Sequence, residues 1–180
     1  SLKERVKKVL EESERNLEEN KKDAKRVNDE TRKKLKELED RADRVNRETE
    51  RALRELEDNG VSDEIKERMK EVNKKHREIL ERISREVKRV NEEHKEEVDR
   101  LEKEMRDVNK KVKEELSEDR DEKVVREVIE ELKRVNDKLN DASRRLNERL
   151  KRVVEDVERR VRDLNKELED VVEELKERTR

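Results

Sequence analysis

Apolar residues recur along this chain with a step of 18. In the first third, Leu17, Leu35 and Leu53 form one column, and Val9, Val27 and Val45 form another. In the middle, the columns are Ile65/Ile83/Leu101, Met69/Val87/Met105 and Val72/Val90/Val108. In the last third, Val128/Leu146/Leu164, Leu132/Leu150/Leu168 and Val135/Val153/Val171 repeat the same way. A seven-residue step from Leu2 reaches Val9 and then fails at Asn16. Eighteen residues are five whole turns of an α-helix at 3.6 residues per turn. A stripe that returns to one face after five turns predicts straight helices, not supercoiled ones.

The repeat is interrupted twice. At the first interruption Gly60 can take the left-handed conformation that ends a helix, and Val61 can supply the apolar contact. Ser62 then caps a new helix whose first residues are acidic. At the second, Asp119 with Glu122 resembles a capping box. The expected segments are about 1–59, 63–117 and 120–180, each roughly 80–90 Å long as a helix. Each carries one narrow apolar stripe on a charged cylinder, and short connections make successive helices antiparallel. The fold class expected is all-α: a single long, antiparallel, up-down-up three-helix bundle with straight helices.

Polar residues sit inside the stripes. Ser13, Thr31 and Thr49 make one 18-residue column, Asn73, Asn91 and Asn109 another, and His76 and His94 a third. With the first turn centred near residue 61, facing positions in the first two helices total about 122. With the second turn near 119, facing positions in the last two total about 238. These registries gather the polar residues into layers. One holds Asn46, Thr49, Asn73, His76 and Asn165; the next holds Asn28, Thr31, Asn91, His94, Asn147 and Ser143. Ser13 meets Asn109 in a third, and Asn20 meets Asn136. An unpaired buried amide costs about 1–3 kcal/mol, so such layers are satisfied in one register only. Their expected role is specificity of register and helix order, as for a buried Asn in a coiled coil.

Other chemistry is scarce. Among 180 residues there is no Cys, Pro, Phe, Trp or Tyr and only one Gly. Disulfides, thiol nucleophiles and Cys-based metal sites are therefore excluded, as are aromatic stacking platforms and glycine-rich phosphate loops. His76 and His94 stand about 27 Å apart on one helix and cannot share a metal. They are expected to be neutral members of their layers. If burial keeps them so, stability is full above about pH 6.5 and falls as the pH drops below it. Met69 and Met105 fill the core. The Ser and Thr residues lack an orienting acid, so no hydrolytic triad is expected. No catalytic, cofactor or metal residue is assigned.

Charged residues make up 60% of the chain, with a formal net charge of −2. Signs are interspersed, so no nucleic-acid partner is expected. A mean hydropathy of −1.61 leaves no membrane span. No targeting segment assigns a compartment; recombinant expression is expected to leave the chain soluble in the cytoplasm.

Together the 18-residue repeat, the Val-Asn pairs at 27–28, 45–46, 72–73, 90–91, 108–109 and 135–136, and the almost wholly Glu, Lys, Arg and Asp surface resemble de novo designed helical bundles. Those proteins are built from parametric straight helices with internal hydrogen-bond networks. The resemblance implies a very stable scaffold with no natural substrate and no required partner. The alternative is an interaction module that associates with itself or with other designed helices, with a pH response through His76 and His94. Val124, Val125, Val154 and Val172 widen the third stripe and would serve that role.

Overall fold

The computed structural model describes residues 2–56, 63–115 and 122–178. They form three α-helices that pack against one another: α1 (Leu2–Leu56), α2 (Asp63–Glu115) and α3 (Glu122–Arg178). The chain is an all-α three-helix bundle, with no strand among the described residues. The expected cap residues Gly60, Val61, Ser62 and Asp119 lie outside the described residues. Glu122 opens α3, and Asp63 and Glu64 open α2. Acids in the first turn and Arg54 and Lys113 in the last turns of α1 and α2 complement the helix dipole.

The apolar stripe becomes the core. Along α3 the buried positions run Val125, Val128, Leu132, Val135, Leu139, Ala142, Leu146 and Leu150, each three or four residues after the last. Val153, Val157, Val161, Leu164, Leu168, Val171 and Leu175 continue the row. Steps alternating in this way average close to 3.6, so one face stays inward for the length of the helix. In α1 the stripe is thinner. Val6, Leu17, Val27, Leu38 and Ala42 are buried, while Val9, Leu35, Val45 and Leu53 are only partly so. Buried side chains of this kind each contribute about 1.5–3 kcal/mol, so α3 supplies the largest apolar share.

The chain divides into two compact units, each made of three helical pieces. The first comprises Ser1–Asp29 and Arg89–Leu150. Its core joins Val6 and Leu17 of α1 to Val98, Leu101 and Met105 of α2 and to Val128, Leu132 and Leu139 of α3. The second comprises Glu30–Lys88 and Lys151–Arg180. Its core joins Ile65, Met69 and Val72 to Leu164, Leu168, Val171 and Leu175, with Val45, Leu53 and Ile79 against them.

Candidate functional site: the internal polar layers

The most connected polar group lies between α1 and α3 in the first unit. Asn136 Nδ2 donates to Ser13 Oγ at 3.0 Å, and Asn16 Nδ2 donates to Asn136 Oδ1 at 3.3 Å. Asn20 Nδ2 is placed to donate to three oxygens: the Asn16 carbonyl at 2.8 Å, Asn16 Oδ1 at 3.2 Å and Asn140 Oδ1 at 3.1 Å. The Ser143 hydroxyl donates to Asn20 Oδ1. Ser13 is fully buried and Asn20 nearly so. Six side chains thus form one continuous chain of hydrogen bonds, the condition under which buried polar groups are tolerated.

This arrangement corrects several expected pairings. Ser13 is bonded by Asn136 rather than by Asn109, which is half-buried on α2. Asn20 and Asn136 belong to one group, but Asn16 links them. Ser143 joins Asn20 and not the Asn91 layer. Asn16 and Asn140 were not among the expected residues, yet their signal was present. The pairs Asn16–Asn136 and Asn20–Asn140 are each 120 positions apart, and the pairs Ser13–Asn136 and Asn20–Ser143 are each 123 apart. A constant separation is how a parallel pair of helices shows itself. α1 and α3 are parallel because each is antiparallel to α2.

Between α1 and α2, two members of one expected layer meet, although the expected registry of about 122 would set Asn28 against His94. Asn91 Nδ2 donates to Asn28 Oδ1 at 2.6 Å in the first unit. Asn147, assigned to that layer, is exposed instead. Its height also differs from the expected one. In the first unit Glu93, Glu97 and Glu104 of α2 meet Arg149, Arg145 and Lys138 of α3, at 2.8, 2.5 and 3.9 Å. Arg68 meets Glu174 at 2.6 Å in the second unit. In each of these pairs the residue numbers total roughly 242, not the roughly 238 on which Asn147 depended. A difference of about four residues is about 6 Å along the axis.

Thr31 is buried and lies in the second unit. There, too, the expected layer is only partly realised. The Thr49 hydroxyl donates to the carbonyl of Val45 at 2.7 Å, within its own helix, so its proton is not available to Asn73. His76 is 2% exposed and Asn165 9%. Oδ1 of Asn46, Asn73 and Asn165 and both ring nitrogens of His76 are buried with no hydrogen-bond partner in the protein. Asn165 lies close enough to the imidazole to favour its protonated form, as does the charge of Asp43, but burial outweighs both and pushes His76 below its ordinary value. Its contact with Asn165 falls short of hydrogen-bond geometry.

His94, in the first unit, is half-buried, with Nε2 buried and unpartnered. Burial lowers its pKa, Glu97 pulls it back up, and Arg145 adds to the lowering. On the α1–α2 seam, Lys21 reaches Glu102 at 3.2 Å and Arg106 reaches the same carboxylate at 3.2 Å. Burial pushes Glu102 up, but the two cations together hold its carboxyl below the usual range. Among the described residues, no group of three or more His, Cys, Asp or Glu side chains is placed to hold a metal ion. Among the described residues, no helix is long and apolar enough to cross a membrane. Comparison of the chain with known protein families, curated proteins and solved structures gives no match.

Proposed function

We propose that this chain is a designed structural scaffold, without a biochemical activity of its own, whose buried polar side chains select the register of the helices. The observation that carries this reading is the closed chain of hydrogen bonds from Ser13 through Asn136, Asn16 and Asn20 to Asn140 and Ser143. Apolar contacts alone tolerate a slip of one turn, because the stripe presents Leu or Val again after three or four residues. Such a slip would separate the members of this chain and leave buried donors and acceptors unpaired.

The test replaces Ser13, Asn16, Asn20, Asn136 and Ser143 together with apolar residues of similar size. Global stability is expected to hold or rise, because both partners of each bond are removed. The amide NMR spectrum is expected to lose its single set of peaks as registers mix. A single, native-like set with unchanged long-range contacts would count against a specifying role.

The association reading rested on the wider stripe of α3. Val125 and Val154 are buried at 1% and 6% exposure, and Val124 and Val172 are half-buried, so these residues serve the interior of their own units. Sedimentation equilibrium is expected to give a mass near 22.0 kDa. A multiple of that mass would favour association.

A further inference from the structure

The polar groups of the two units end differently. In the first, amides and hydroxyls close on one another, although His94 Nε2 is buried without a partner. In the second, five buried polar atoms on four side chains have no partner in the protein. Three of them directly follow members of one apolar cluster: Asn46 comes after Val45, Asn73 after Val72 and Asn165 after Leu164. His76 follows Asn73 by one turn of α2, with Asn165 beside its ring.

We propose that this layer is a binding site for internal water, reached from the groove between α1 and α3 that Asn165 lines. The donor and acceptor inventory points there. Three amide oxygens accept only, and a neutral imidazole brings one donor and one acceptor. A direct contact between His76 and Asn165 would still leave Oδ1 of Asn46 and Asn73 unpartnered where they stand. Each water supplies two donors, for amide oxygens or the unprotonated ring nitrogen, and its oxygen accepts from the ring N–H. Buried polar groups in folded proteins are almost always bonded, and an internal water commonly makes about three such bonds.

The surroundings supply access. A groove of ≈ 580 Å³ runs between α1 and α3 of the second unit, with Leu38, Val45 and Val161 on its walls and Asn165 among its lining residues. A water molecule's share of liquid volume is about 30 Å³, so the groove has room for water beside Asn165. The ligand set is neutral, and the nearby Asp43 is exposed. A bare cation would therefore carry an uncompensated charge into the core, whereas water carries none.

The experiment is water–protein cross-relaxation measured by NMR on the full, isotope-labelled chain. Long-lived water contacts are expected at the side-chain amides of Asn46, Asn73 and Asn165 and at the His76 ring. None is expected at Asn136, whose bonds are closed within the protein. Asn165→Leu is expected to abolish the signal at His76. Should that variant not fold, the comparison of Asn165 with Asn136 in the unaltered chain still decides. Absence of long-lived water at all four residues of the unaltered chain would overturn the proposal. So would an equal signal at Asn136.

Discussion

Asn136 donates its amide proton to the hydroxyl of Ser13 at 3.0 Å, joining two helices that never meet through a turn. Their parallel pairing is an indirect product of two antiparallel ones. The bond is made only if α1 and α3 stand at matching heights in the first unit. Asn20 is the most heavily used member of the same chain, with Asn16, Asn140 and Ser143 all depending on it. Asn20→Ala is expected to destabilise the fold by about 1–3 kcal/mol, because the buried Asn20 amide and its bonds to the half-buried Ser143 and Asn16 are lost. Guanidinium denaturation measures this, and a change under about 0.5 kcal/mol would mean the chain is not coupled as described.

Asn28 and Asn147 separate the correct registry from the expected one. Asn28→Ala removes the acceptor for Asn91 and is expected to cost about 1–3 kcal/mol. Asn147 is exposed, and Asn147→Ala is expected to change stability by no more than about 0.5 kcal/mol. Equal effects at the two sites would restore Asn147 to an internal layer.

Acid is expected to weaken the protein in two stages. Both imidazoles have folded-state values below their ordinary one, chiefly through burial. The unfolded chain therefore binds protons first. Stability is full above about pH 6.5, falls as the pH drops below it, and levels once the folded values are passed. Glu102 adds a second stage. Its carboxyl is held low by Lys21 and Arg106, so its contribution is present above about pH 4.3 and is lost as the pH falls through the folded value. Denaturation midpoints from pH 8 to pH 3 trace both stages. His76→Asn with His94→Asn is expected to flatten the upper one, and an unchanged profile would refute the assignment.

Apolar burial and surface charge are expected to differ sharply in weight. Leu132 and Leu168 are fully buried, and truncating either to Ala is expected to cost about 2–5 kcal/mol. Arg145 meets Glu97 at 2.5 Å, but its side chain is 59% exposed. Arg145→Ala is expected to cost less than about 1 kcal/mol, and less still in high salt. Thermal and chemical melts of the three variants compare these effects directly. A larger loss from Arg145 than from Leu132 would assign the bundle's stability to its ion-pair seams.

Much of the architecture is written in one dimension. The 18-residue columns place the buried face of every helix, since a side chain's angular position depends only on its own number and the pitch of the helix. Val72, Val90 and Val108 are inward because of that pitch, and so are Leu132, Leu150 and Leu168. The grouping of Asn28 and Asn91 in one layer was also accessible. Height along the axis is another matter. Sliding α3 by one turn returns Leu and Val to the core, so its apolar pattern leaves that choice nearly degenerate. Three-dimensional contact broke the tie. It set Ser143 against Asn20, and it recruited Asn16 and Asn140. Hydrogen bonds act over about 3 Å, whereas a turn of helix is 5.4 Å, so polar partners discriminate between heights that apolar stripes treat alike.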